Sequence, residues 1–261
     1  MTVNSHLVNL ASSLVLSDTE KLNIAISINT LSSRLDSYFG RGINDKFQFG
    51  SSCRGTILPR KADAKSDIDY MVVFDTSEGQ KKPQTYLDRL RRFAENKYTR
   101  SEISQSNPTI VLSLNHIRFE LVPAVYSYDY LIPSPKSSWE EWMSTDPLSA
   151  NQQISDKNIA ENSKIKPLVR LIKYWNSIQG HPFASYDLEK HIVNSNYFFC
   201  RSLKDYFYCF WEDINCTYGT PQYIKDKVQR AKTYAAKAKQ YEADDMPISA
   251  ESEIKKIVPI L

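Results

Sequence analysis

The sequence predicts an α+β fold, a half of mixed strands and helices followed by an all-helical half, on three observations. Strand-like runs rich in Val, Ile, Phe and Tyr stop at about residue 135. From Ser163 onward apolar residues recur at helical spacing. Ahead of both lies Ser17-Asp18-Thr19-Glu20, a capping box that starts a long amphipathic helix. The expected division is residues 1–150 for the α/β core with its N-terminal helix, and 151–261 for a helical domain.

The capping box opens a helix over 18–39, with Ile24, Ile28, Leu31, Leu35 and Tyr38 on one stripe, ending near Gly40-Arg41-Gly42. Lys46–Phe49 reads as a short strand running into Gly50-Ser51-Ser52, and Asp67–Phe74 as a longer one. A helix is expected over Pro83–Tyr98. Thr109–Leu114 and Ile117–Val122 read as a hairpin turning at Asn115-His116. Pro133, Pro135 and Pro147 mark an irregular crossing. Beyond it, Leu168, Leu171, Ile172, Trp175 and Ile178 form an apolar stripe, with Pro167 tolerated in the first turn and Gly180-His181-Pro182 as the stop. Another helix follows Ser185, and the aromatic stretch Tyr197–Trp211 reads as core. A last long helix, about Pro221–Ala243, carries Lys225, Arg230, Lys232, Lys237 and Lys239. Its basic side reads as a solvated face, or alternatively as a rim that concentrates NTP or nucleic acid.

Composition excludes several classes. The 261 residues are 41% hydrophobic, 24% charged and 12% aromatic, which is ordinary for a globular chain and argues against disorder. No apolar run approaches the roughly 18 residues a membrane span requires, and the opening Met-Thr-Val-Asn-Ser-His lacks secretory-signal order. Cys53, Cys200, Cys209 and Cys216 form no Cys-x-x-Cys pair, which disfavours structural zinc and fits reduced thiols in a cytoplasm. A net charge of +3 does not demand nucleic acid. The histidines are not at metal-ligand spacing: His116 reads as a turn residue, His181 and His191 as local packing.

The chemistry concentrates in Phe47-Gln-Phe-Gly-Ser-Ser-Cys-Arg-Gly-Thr56 and Ser66-Asp67-Ile68-Asp69. Asp67 and Asp69 are two apart in a strand and therefore share a face. Like charges that close repel, and a hard cation such as Mg²⁺ or Mn²⁺ between them relieves the repulsion. Glu120 alternates correctly in Ile117–Val122 to supply a third carboxylate. Its competing reading is an exposed strand residue paired with Arg118 or a nearby lysine. Gly50 at a strand end permits close approach of a ligand, and the following N–H groups with the Ser51 hydroxyl suit a phosphate. Arg54 and Thr56 would tighten the loop. A phosphate loop beside metal carboxylates is the equipment of nucleotidyl transfer.

At these residues the sequence resembles the polymerase-β-like nucleotidyltransferase superfamily. The context Gly-Ser-x-x-Arg-Gly-Thr56 and Glu120-Leu-Val-Pro-Ala124 is similar to the bacterial cyclic-oligonucleotide synthases related to cyclic GMP–AMP synthase and oligoadenylate synthetase. Leu168-Val-Arg-Leu-Ile-Lys173-Tyr-Trp-Asn176 resembles that family's phosphate-contacting helix, and Ser185-Tyr186-Asp-Leu-Glu189 its Ser-Tyr-x-Leu-Glu segment. The likeness runs from about residue 15 to about 245. It implies a nucleotidyltransferase core of mixed sheet and flanking helices, a C-terminal helical bundle closing a cleft, and a long N-terminal helix bracing both. It also implies Asp67, Asp69 and Glu120 as ligands of two Mg²⁺ (or Mn²⁺) ions, although the family's third acid is commonly Asp. Gly50, Ser51, Lys173 and Ser185 would then bind the triphosphate, and Tyr186 would stack on a base. On the residues alone, Lys173 lies off the apolar stripe and should face solvent or a cleft, and Ser185 could equally be an N-cap.

The expected activity is therefore Mg²⁺-dependent joining of NTPs into a cyclic di- or trinucleotide second messenger, with an antiphage signalling role implied by the resemblance. The expected protein is a cytoplasmic bacterial monomer with no membrane attachment. No Cys/His cluster could supply the zinc insert of a double-stranded-DNA sensor, so no such activator is expected. Rival readings are an RNA 3′-terminal nucleotidyltransferase, a toxin–antitoxin-type protein-modifying nucleotidyltransferase, and a binding module with dead chemistry.

Overall fold

The computed structural model describes residues 2–106, 108–134 and 141–261; Pro135 of the proline-marked crossing lies outside these. Chain contacts divide it into two units. One comprises residues 17–57 and 65–152, the other residues 1–16, 58–64 and 153–261.

The first unit is built on a mixed sheet. Its strands are β1 (Ile43–Phe49), β2 (Asp67–Phe74), β3 (Glu102–Ser106), β4 (Thr109–Ser113), β5 (Arg118–Tyr126), β6 (Tyr130–Pro133) and β7 (Trp142–Thr145). The order is β1-β2-β5-β4-β3, with β6 added to the end of β5 and β7 to β6. Among the described residues only β2 and β5 pair in parallel, and the connection between them carries the helix at Pro83–Lys97. The central strands are apolar and almost fully buried: Ile68, Met71, Val72, Phe74, Phe119 and Leu121 are each 0% exposed. The helix Asp18–Phe39 begins at the expected capping box, where Ser17 Oγ accepts from the Glu20 amide and Glu20 Oε2 accepts from the Ser17 amide at 2.8 Å. Ile24, Leu31 and Leu35 bury its stripe.

Strands do not stop at about 135, because β7 follows at Trp142–Thr145. A four-residue strand on a hairpin edge has too little alternation to be read locally. The hairpin itself has a third strand, β3, of alternating burial and polar composition.

The second unit is all helical. Numbering all helices in chain order, it holds α1 (Val3–Ser13), most of α5 (Pro147–Ala160), α6 (Ile165–Ile178), α7 (Ser185–Asn194), α8 (Leu203–Asp213), α9 (Gln222–Ala243) and α10 (Pro247–Ile257). The sheet unit's helices are α2 (Asp18–Phe39), α3 (Gly50–Arg54) and α4 (Pro83–Lys97). Leu168, Leu171, Ile172 and Trp175 are buried as the stripe on α6 requires, whereas Ile178 at its end is exposed. Three features depart from expectation. Helices α1 and α5 precede Ser163, α10 follows the supposed last helix, and Phe198 and Phe199 are 83% and 89% exposed rather than core. The rest of the aromatic run does pack inward, with Tyr197 stacked on Tyr206 and Trp211 edge-on to Trp175. Asn176 is fully buried, and its amide closes both backbone groups of Phe183, fastening the turn from α6 to α7.

Candidate active site

The acids lie where period-two alternation puts them, and the register between strands adds the rest. In the parallel β2–β5 ladder Asp67 stands beside Arg118 and Asp69 beside Glu120. Asp67, Asp69, Arg118 and Glu120 therefore share one face of two adjacent strands, half-buried, while Ile68, Phe119 and Leu121 fill the opposite face.

Arg118 is the cation among them. Its Nη2 donates to Asp67 Oδ2 at 2.8 Å and to Glu120 Oε1 at 3.0 Å. The pairing with Arg118 that the competing reading of Glu120 expected is present, but on a half-buried rather than an exposed residue that also stands beside the aspartates. Burial and the neighbouring Asp67 charge push the Glu120 carboxyl up to about 7, against the opposing pull of Arg118. One guanidinium does not fully offset the clustered acids.

The glycine turn is keyed to the same cluster. Gly50 has φ +75°, and a Cβ there would collide with Asp69 Oδ2 and lie 2.6 Å from Asp69 Cγ. Only a residue without a side chain lets the Asp69 carboxylate rest over the turn. Past it, α3 is a single helical loop. The Ser51 carbonyl accepts from the Thr56 and Ile57 amides at 3.0 and 3.1 Å, and Gly55 at φ +70° closes the loop. Thr56 thus tightens the loop as expected, and Arg54 is buried within it. The Ser51 hydroxyl is half-buried and makes no hydrogen bond with a described residue.

Three anticipated residues belong to the helical unit. Lys173 does not face solvent. It is 6% exposed, and its Nζ lies 3.4 Å from Oε1 of Glu189, itself 2% exposed. The stripe pattern missed this because the partner comes from another helix. Ser185 is no N-cap: Ala184 occupies that place without a side-chain bond, and Ser185 starts the first turn of α7. Its hydroxyl makes no hydrogen bond among the described residues. Tyr186 is 53% exposed. Of the histidines, His116 meets Ser27 Oγ at 2.9 Å, His181 lies 3.3 Å from Asp63 and His191 3.1 Å from Asp213. All four cysteines are free.

Among the described residues no group of three His, Cys, Asp or Glu is disposed to hold a metal ion as it stands. The donor set nonetheless fits a hard divalent cation. It consists of carboxylate oxygens on one face, with the Arg118 guanidinium standing where positive charge is required. A cation entering there would displace that guanidinium from Asp67 and Glu120.

The raised Glu120 carboxyl has a consequence for stability. Its folded value of about 7 exceeds the ordinary 4.5, so between those limits the folded state holds more protons than the unfolded chain. This component of stability is therefore present at low pH and is lost as pH rises through about 7. Thermal midpoints in EDTA should show it as a decline with rising pH that Glu120→Gln flattens. An equal decline in the variant would remove Glu120 as the source.

Comparison with known proteins follows the same lines. The family model described as the Second Messenger Oligonucleotide or Dinucleotide Synthetase domain matches residues 1–158. A probable cyclic nucleotide synthase of Bacillus cereus (strain VD146) is 26% identical over 143 residues, covering 51% of this chain and 42% of that relative, so the match spans less than half of the relative's length. Among solved structures, the Vibrio cholerae DncV cyclic AMP-GMP synthase, bound to a linear intermediate, superposes with a TM-score of 0.77 at 12% identity, covering 100% of this chain and 97% of that one. The E. coli MS115-1 CdnC structure with ATP gives 0.72 at 15% identity, covering 98% and 97%. At such identities these two structures establish a common fold. No helix among the described residues is long and apolar enough to cross a membrane.

Proposed function

Since this chain belongs to the second messenger oligonucleotide or dinucleotide synthetase family, we propose that it is a nucleotidyltransferase joining NTPs into a cyclic di- or trinucleotide second messenger. The observation that carries the reading is the face shared by Asp67, Asp69 and Glu120 on β2 and β5, with Asp69 resting over Gly50.

In this reading a ribose 2′- or 3′-hydroxyl of one nucleotide attacks the α-phosphorus of another in line, and pyrophosphate leaves. Asp67, Asp69 and Glu120 hold Mg²⁺ (or Mn²⁺), which when bound neutralises the triphosphate and lowers the pKa of the attacking hydroxyl. The Ser51 hydroxyl and the amides of its loop bind phosphate oxygens. The ammonium of Lys173, steadied by Glu189, serves the triphosphate together with the Ser185 hydroxyl. Tyr186, half exposed, offers its ring to a base. ATP and GTP are the first substrates to try: the CdnC structure holds ATP, and the DncV structure holds the linear intermediate 5′ pppA(3′,5′)pG. The reading extends to a monomer acting in antiphage signalling inside a bacterial cell, with the domain division at about residue 150 and no double-stranded-DNA activator.

The test is to incubate the chain with labelled NTPs, singly and in pairs, with Mg²⁺ or Mn²⁺, and to digest the products with phosphatase. Phosphatase-resistant cyclic products identified by mass are expected. Label appearing only on added RNA, or only on protein, would replace the reading with one of its rivals. No product from any NTP combination with either metal would overturn it.

A further inference from the structure

The helical unit contains a cavity of about 370 Å³ that the proposed chemistry does not use. It lies between α1, the start of α6 and the start of α8. Three of its lining residues are cations, Lys164, Arg170 and Arg201, and none is an acid. Polar groups complete the wall, among them Asn4, Ser12 and Ser202.

Three acids of this unit have partners of their own. Glu161 pairs with Lys157 at 3.2 Å and accepts from the Tyr206 hydroxyl at 2.7 Å. Asp205 caps α8 by accepting from Ser202 and from the Arg201 amide. Glu242 holds Lys204 and the Tyr208 hydroxyl. The side chains of Lys164 and Arg201 make no ion pair with any described residue. Arg170 is fixed by donating Nε–H to the Ala11 carbonyl at 3.2 Å, and burial pulls its guanidinium below the usual arginine range. Asn4 directs its Oδ1 to the Lys204 amide, which leaves its NH₂ as a further donor. The first turns of α6 and α8 both border the cavity; the start of α6, which has no acid in its first turn, adds partial positive charge, whereas Asp205 offsets that of α8. Positive charge converging on a concave, donor-lined space calls for a compact anion with several acceptor oxygens.

We propose that this cavity binds a small phosphate-bearing anion through Lys164, Arg170 and Arg201, at a site separate from the Asp67–Asp69–Glu120 cluster. Nothing in it depends on the proposed synthase activity. Its volume suits a phosphate or pyrophosphate group rather than a nucleic-acid duplex.

The probe is inorganic phosphate, titrated into the full chain in EDTA and followed by phosphorus NMR line broadening. Lys164→Gln with Arg201→Gln should weaken binding at least about tenfold, as expected for the loss of two partly screened charge contacts, with the circular dichroism unchanged. Lys164→Arg with Arg201→Lys, which keeps both charges, should bind within about threefold of the native chain. Lys225→Gln with Arg230→Gln, which removes two charges from α9 outside the cavity, should bind as the native chain does. Three results would overturn the proposal. They are no phosphate binding by the native chain, undiminished binding by the Gln pair at 164 and 201, and an equal loss in the Gln pair at 225 and 230, which would assign the effect to overall charge and not to the cavity.

Discussion

Asparagine at both Asp67 and Asp69 is expected to abolish nucleotide incorporation, lowering kcat/KM by at least about 10³-fold. Asn matches Asp in size, so the strand and its burial survive, and the loss is one of negative charge toward a cation and a developing transition state. The geometry adds a second readout. Asp67 is part of what raises the Glu120 carboxyl, and it holds one side of Arg118. Without it Arg118 loses one partner and keeps Glu120, and the Glu120 carboxyl should fall back toward its ordinary range. The decline in stability from about pH 5 to about pH 7 in EDTA should then shrink as well. Undiminished incorporation by the double variant would show that the cluster does not perform the reaction.

Alanine at Gly50 is expected to be nearly as damaging from a single methyl group. The backbone there is left-handed at φ +75°, and the added Cβ has the Asp69 carboxylate in its way. Left-handed strain costs about 1–3 kcal/mol. Relieving the collision moves either the carboxylate or the loop that carries Ser51. A displacement of about 1 Å in positioned groups costs about 10²-fold in rate. The expected result is a folded protein, less stable by that strain, with activity lower by about 10² or more. Gly55→Ala is the control: it has φ +70° as well, but an added Cβ meets nothing within 4 Å. It should share the strain and retain most of the activity. Equal activity loss in the two variants would mean that loop conformation, not the Asp69 contact, is what matters.

The contrast between these positions and the misread ones is physical. The capping box and the bounds of β2 follow from contacts three residues apart or from strict alternation, and both were legible in the sequence. Helix α1 was not, because the surfaces it packs on come from α6, α8 and α10, more than 150 positions later in the chain. Strands β6 and β7 exist only as a hairpin added to β5, and each is four residues long. Phe198 and Phe199 look like core by composition but lie in the non-helical segment between α7 and α8, where they turn out to solvent. Lys173 reads as solvated on its own helix and is buried because Glu189, sixteen positions on, meets it.

By itself the sequence determined that Asp67 and Asp69 share a strand face, that Glu120 alternates with apolar neighbours, and that a glycine ends the preceding strand. Each of these follows from backbone periodicity, which is local. Only the tertiary structure decided that β5 lies parallel to β2 in the register setting Glu120 beside Asp69 and Arg118 beside Asp67, and that the Asp69 carboxylate fills the space a side chain at position 50 would need. Register across fifty intervening residues is set by which apolar faces pack together, and no local pattern in the chain encodes that distance.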